Sequence, residues 1–197
     1  ALVSVKEKIE YNDQGYKVVG NKDYIPMGFT YDTYLTEDVV DSMLNDSDKP
    51  DVPYAMLSHL VVPKEKEHIF VKYLKRGNLV AEPYNMDSVV TERRKNASDR
   101  FIGNTQGFIS DITLTRDNFV FYSVPADKGF TAYVDGKQSV LHKVNLGLSS
   151  VFVPKGKHEV QFKFMPAGMK EGMMASVAML VILLLVGWNE KIKLRKK

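Results

Sequence analysis

Residues Gly172–Trp188 read GMMASVAMLVILLLVGW, 17 residues without a charge. As a helix this run covers about 26 Å, close to the ~30 Å hydrocarbon core of a bilayer. It is apolar on every side and has no polar stripe to turn toward water. Trp188 stands at its end, where aromatic belts form, and a basic cluster follows at once, the pattern of a cytoplasmic flank. A buried core helix is the competing reading of so short a run. The sequence predicts one transmembrane helix over 172–188, with the basic tail 189–197 in the cytoplasm and residues 1–171 extracytoplasmic. Lys170 and Glu171 then lie at the outer face, where their stems can snorkel.

Charge supports this division. The chain carries 27 Lys+Arg and 24 Asp+Glu, a net charge of +3. A basic protein of this kind could be a nucleic-acid binder, but the excess sits at one end. The last nine residues hold five bases (Lys191, Lys193, Arg195, Lys196, Lys197) and one acid, Glu190, and what remains is close to neutral. No nucleic-acid partner is expected; the tail holds orientation by attraction to anionic lipid. With 44% hydrophobic and 26% charged residues, the composition is that of a folded globular chain. The absence of cysteine excludes disulfide scaffolds, thiolate zinc sites and thiol catalysis. The chain begins with Ala1 and shows no signal peptide, so a processed protein or a piece of a longer one is expected.

Two textures divide the exterior portion. Residues 1–107 are mixed. Tyr16–Val19 and Gly28–Leu35 read as strands, Thr36–Asn45 and Asp51–Val61 as helices, and Val89–Ala97 as a weaker third helix. Residues 108–168 read as short consecutive strands: Phe108–Leu114, Asn118–Val124, Thr131–Val134, Ser139–Val144, Ser150–Val153 and His158–Phe164. Asp135-Gly136 is a hairpin signal, because both central positions of a type I′ turn need positive φ. The last strand alternates Val160, Phe162 and Phe164 against Glu159, Gln161 and Lys163, as a half-buried antiparallel strand does. The expected fold class is α+β: a C-terminal antiparallel, jelly-roll-like β-sandwich packed with a mixed α/β N-terminal part and followed by one transmembrane helix.

Tests for chemistry come back empty. His158-Glu159 begins like a zinc-protease helix, but Phe162 stands where the second histidine belongs. In the acidic loop from Asp46, Pro50, Asp51 and Leu57 occupy positions where a calcium loop needs an oxygen donor, Gly and Glu. No phosphate-cradling or nucleophile-elbow motif is present. The four histidines, His59, His68, His142 and His158, are scattered and read as structural or surface residues. Arg93-Arg94-Lys95 reads as a solvated helix face. No catalytic residue, metal ligand or cofactor is assigned. One binding candidate remains, a sugar-stacking platform of Tyr122, Phe130 and Tyr133 flanked by Asp127 and Lys128; core packing of the rings is the alternative.

Three segments carry a resemblance. Val124-Pro125-Ala126-Asp127-Lys128-Gly129-Phe130 runs on to Val134-Asp135-Gly136-Lys137. After Asn145-Leu146-Gly147 comes Pro154-Lys155-Gly156-Lys157-His158, before a final strand and helix. Asn21-Lys22-Asp23-Tyr24-Ile25-Pro26-Met27-Gly28-Phe29 precedes them. Together these resemble the C-terminal end of the bacterial YfhO-like membrane proteins, with Phe130 where that family often has Trp. The resemblance implies a large polytopic parent with a GT-C-type membrane core, similar to glycosyltransferases that use a polyprenyl-phosphate sugar at the outer face. It links the family to glycosylation of cell-wall polymers such as teichoic acid. The catalytic acid of such enzymes lies in an early outer loop of the membrane core, so no catalytic residue carries over. The chain is then expected to be a non-catalytic accessory domain, with the membrane, the rest of the parent, and a cell-wall glycan or polyprenyl-phosphate sugar as partners. A single-span, surface-anchored sandwich that binds a ligand or protein is the alternative.

Overall fold

The computed structural model describes residues 5–11, 17–44, 52–78 and 85–194. The candidate calcium loop around Asp46 and the last three basic residues lie outside them. The fold class is as expected: mixed α+β with antiparallel sheets and a C-terminal apolar helix. Strands β1 (Val5–Tyr11) and β2 (Lys17–Asn21) pair as an antiparallel ribbon. Strand β3 (Phe29–Thr30) follows, and then a small parallel α/β unit. This unit comprises β4 (Thr33–Thr36), α1 (Glu37–Leu44), α2 (Val52–Ser58), β5 (Leu60–Val62), a 3-10 turn at Lys64–Lys66, α3 (Glu67–Phe70) and β6 (Lys75–Arg76), with β4 in the centre of its sheet. Helix α4 (Met86–Lys95) leads into the sandwich.

Eight strands then run nearly without interruption: β7 (Arg100–Asn104), β8 (Gly107–Leu114), β9 (Asn118–Pro125), β10 (Phe130–Val134), β11 (Lys137–Ser139), β12 (Leu141–Val144), β13 (Leu148–Val153) and β14 (Gly156–Phe164). They form a five-stranded sheet, β11-β10-β14-β8-β7, and a four-stranded sheet, β12-β13-β9-β3. Thus β3 and β7, from the mixed N-terminal part, complete the two sheets.

Two expected strands divide, for one reason. Ser139–Val144 is split because the chain leaves the five-stranded sheet after Ser139 and enters the four-stranded sheet at Leu141, with exposed Val140 at the crossing. Gly28–Leu35 is split because β3 pairs with β9 while β4 joins the parallel sheet. The expected helix Asp51–Val61 ends at Ser58, and Leu60–Val62 become a fully buried strand, as β-branched runs do in parallel sheets.

The four-stranded sheet is the middle of three layers. Along β9, Val120 and Tyr122 pack toward the five-stranded sheet with Phe108, Ile112, Ala132, Val151, Val160 and Phe162. Phe119 and Phe121 pack the other way, with Tyr31, Tyr34, Leu60, Val62 and Phe70 of the α/β layer. Burial of each such ring is worth roughly 2–3 kcal/mol. Rings stack within the sandwich: Phe108 lies 4.5 Å from Phe162 at an interplanar angle of 17°.

Helix α5 (Met169–Leu194) leaves this body without burying itself in it. Its apolar stretch, Met169–Trp188, has a mean hydropathy of 2.0 over its most apolar window and is 0% buried there. Its 20 residues make about 30 Å of helix, the thickness of the hydrocarbon core. The hydroxyl of Ser176 donates back to the Gly172 carbonyl at 2.9 Å, so it needs no partner in lipid. A span of this length and composition associates the chain with a membrane.

Candidate functional site at the helix-proximal end of the sandwich

The chain passes from sandwich to helix at Phe164–Met169, and two of the stretches that carry the resemblance, Asp127–Phe130 and Asn145–Gly147, meet there. Asp127 closes a small turn: its carboxylate accepts from Gly129 N–H at 2.7 Å and its carbonyl from Phe130 N–H at 3.1 Å. Gly129 then accepts through its carbonyl from Met165 N–H at 2.9 Å, just past the end of β14. A Cβ on Gly129 would lie 2.7 Å from both the Met165 carbonyl oxygen and the Phe164 ring. Only glycine lets the turn close on the departing chain. On the other side, Phe164 N–H donates to the Gln106 carbonyl at 2.6 Å, in the β7–β8 turn. The next turn, Asn145–Gly147, joins the group through Ala126 N–H on the Gly147 carbonyl at 2.8 Å. Three turns thus brace the root of the helix.

At the opposite end the hairpin forms as the sequence predicted. Asp135 and Gly136 have φ of 50° and 75°, and Val134 pairs with Lys137 across them. Asp135 does more than turn the chain. Its carboxylate meets His158 Nδ1 at 2.6 Å and accepts from Glu159 N–H at 3.0 Å, while its own N–H donates to the Glu159 carbonyl at 2.9 Å. The His158 bond and the backbone donor hold the Asp135 carboxyl below its ordinary range, and the same carboxylate raises His158. The two family-like motifs, V-D-G-K and P-x-G-x-H, are therefore halves of one lock between β10 and β14.

A third set joins the layers. Asn145 makes a reciprocal pair with Val61: its side-chain oxygen accepts from Val61 N–H at 2.7 Å and its N–H donates to the Val61 carbonyl at 2.7 Å. Its amide nitrogen also reaches the Tyr31 hydroxyl at 3.3 Å, and burial pushes that phenol up to about 12. Gly28, at φ 79°, packs against the Tyr122 ring so closely that a Cβ would lie 2.7 Å away.

Of the triplet Arg93-Arg94-Lys95, Arg94 and Lys95 are exposed as the sequence suggests, and Arg93 is not. Arg93 is buried, donates to the Thr30 carbonyl at 2.5 Å and the Ser58 carbonyl at 3.3 Å, and stands 4.6 Å over the Tyr31 ring. Arg94 reaches the Tyr24 carbonyl at 2.7 Å and the Lys22 carbonyl. Carbonyl acceptors have no sequence signature, so nothing in the chain marked these arginines as bolts between α4 and the strands.

The candidate three-ring platform does not form, and Tyr122 takes the core packing that was its alternative. Tyr122 is 0% exposed, with its hydroxyl on Ser110 Oγ at 3.2 Å. β9 is the middle of the molecule, and its alternate residues have no outer face to point to. Phe130 and Tyr133 lie on opposite faces of β10, three residues apart in a two-residue period. Phe130 is half-buried against Phe164 at 4.7 Å; Tyr133 faces outward with the Lys163 ammonium 5.1 Å over its ring. Asp127 is taken up by its turn, and Lys128 is exposed beside it.

Catalytic arrangements are no better supplied. Among the described residues no three His, Asp or Glu side chains are grouped to hold a metal ion. His59 Nδ1 lies 2.6 Å from Thr33 Oγ1, but the ring is buried and the Gly77 backbone packs on it. Burial pushes this histidine below its ordinary range, and the nearby Arg93 charge lowers it further. His142 is packed edge-on against Phe70 and Phe119. The arrangement is suited to holding shape.

Residues 85–176 match the family model for bacterial membrane protein YfhO. The matched stretch contains the turn at Asp127–Gly129, the Asp135–His158 lock, Asn145 and the start of α5, so it bears out the resemblance read from those residues. No curated protein and no solved structure matches the chain.

Proposed function

We propose that this chain, whose residues 85–176 match the YfhO family model, is an extracytoplasmic accessory module of a polytopic glycosyltransferase-like parent. In this reading it assists transfer of a sugar from a polyprenyl-phosphate donor to a cell-wall polymer such as teichoic acid. It contributes position. A lipid-linked donor keeps its reactive phosphate at the membrane surface, and a rigid body rooted there brings the acceptor, or the outer loops of the membrane core, to that level. The observation that carries the reading is the short, braced exit: β14 ends at Phe164, α5 begins at Met169, and Gly129 and Gln106 clamp the chain between them. Nothing in such a joint is needed by a module that merely floats on a tether.

The test is made on the full-length parent in its own membrane. A flexible ten-residue insertion between Pro166 and Ala167 leaves both folded parts intact but releases the module from the surface. Cell-wall polymer glycosylation is expected to fall at least about tenfold at unchanged protein level, as expected when positioning is lost. Undiminished glycosylation contradicts the reading, and so does sugar transfer by the isolated chain.

A further inference from the structure

The helix-proximal end of the sandwich presents apolar side chains to its surroundings. Leu146 is 44% exposed, Phe164 40% and Met165 43%. They stand on neighbouring segments tied by the hydrogen bonds from Ala126 to Gly147 and from Met165 to Gly129. Leu146 is the most informative. It holds φ of 60° between Asn145 at 45° and Gly147 at 139°. A branched apolar residue in the left-handed region is disfavoured, and turns of this kind take Asn, Asp or Gly. Here the strained conformation carries a leucine outward and leaves it 44% exposed among the described residues.

Chain length says what lies next to it. Four residues, 165–168, separate β14 from the apolar helix, and four residues extend at most about 14 Å. The headgroup layer on each side of a bilayer is roughly 5–8 Å deep. The linker is also folded back rather than extended, with Met169 N–H on the Pro166 carbonyl at 3.2 Å and Gly172 N–H on the Gly168 carbonyl at 2.8 Å, so the end bearing Phe164 stays close to the surface that α5 enters. Lys128, on the Asp127–Gly129 turn that is tied to Met165, and Lys170, at the start of α5, are both exposed.

We propose that this end of the sandwich is a bilayer-docking face. Leu146, Phe164 and Met165 sit at the boundary between headgroups and acyl chains, and Lys128 and Lys170 lie among the phosphates of the same leaflet. The occupant is lipid, because the continuous apolar span roots this face in a bilayer. The inference rests on α5 spanning the membrane and is independent of any glycosyl transfer. Docking at a second point fixes the tilt of the module, which a single helix leaves free.

The test uses the full chain in vesicles of phosphatidylcholine and phosphatidylglycerol, with and without brominated acyl chains. Trp188 is the only tryptophan, so Trp188→Phe gives a dark background on which Leu146→Trp and, separately, Met165→Trp report. Both are expected to be quenched about twofold or more by brominated lipid, as for side chains buried 5–10 Å into the interface. Lys137→Trp, in the hairpin at the far end, is expected to be unaffected. If Leu146→Trp and Met165→Trp behave like Lys137→Trp while Trp188 of the unaltered chain is quenched, docking is refuted and the anchor stands. Blue-shifted emission without quenching also refutes it, since protein would then cover the face. Failure to quench Trp188 itself removes the span and the docking face together.

Discussion

Gly129 is the residue on which the joint turns. A methyl group there meets the Met165 carbonyl and the Phe164 ring at 2.7 Å, and the carbonyl belongs to backbone that cannot swing aside. Gly129→Ala is expected to destabilise the domain by about 1–3 kcal/mol, in the range of overpacking. Gly103→Ala, where nothing lies within 4 Å, is the comparison. Thermal unfolding in detergent distinguishes them: a clear loss for the first and little change for the second, whereas equal melting would mean that the turn can open at no cost. The Asp135–His158 pair makes a second residue-scale prediction, in pH. His158 is raised from 6.5, so its contribution is full below that value and fades as pH rises through its folded pKa. Asp135 is lowered from 3.8, so its contribution is full above that value and fades as pH falls through its folded pKa. The stability difference between the unaltered chain and His158→Gln is thus expected to be largest between pH 3.8 and 6.5 and to shrink on either side. The pair is partly exposed, which limits the effect to less than about 1 kcal/mol. A difference flat in pH would show that the two charges do not couple.

Between elements, Arg93 ties α4 to the Thr30 and Ser58 carbonyls. Removing a buried guanidinium leaves the Thr30 and Ser58 carbonyls without their donor. Arg93→Ala is expected to cost about 2–4 kcal/mol, and Arg94→Ala, more exposed, less than about 1 kcal/mol. Denaturant unfolding reads both, and equal small losses would make Arg93 a surface residue after all. These positions also show how far the sequence could be read. The sandwich was legible because its strands alternate and its turns are marked by Asp-Gly and Pro-x-Gly. The middle layer was not: Asn118-Phe119-Val120-Phe121-Tyr122 has no alternation, since both of its faces are buried, and a run of aromatics reads equally well as an exposed platform. Of the parallel strands, β4 was legible within Gly28–Leu35, whereas β5 and β6 were hidden for a related reason, because two or three residues are too few to show a period. Arg93 gave no signal at all, its partners being backbone carbonyls from distant elements.

For the whole molecule, the residues that carry the family resemblance turn out to be locks. Asp127 and Gly129 brace the helix root, Asp135 and His158 join β10 to β14, and Asn145 joins the sandwich to the α/β layer. A module built this way transmits the position of its anchor to its far end, which is what a positioning role requires. That account stands on sidedness: the folded body must lie on the outer face and the basic tail inside. The absence of cysteine makes the measurement direct. Single-cysteine variants Lys137→Cys, in the distal hairpin, and Lys196→Cys, in the tail, are treated in intact cells with a membrane-impermeant maleimide. Labelling of Lys137→Cys in intact cells, and of Lys196→Cys only after permeabilisation, is the predicted result. Labelling of Lys196→Cys from outside with Lys137→Cys protected would put the sandwich in the cytoplasm and contradict the account.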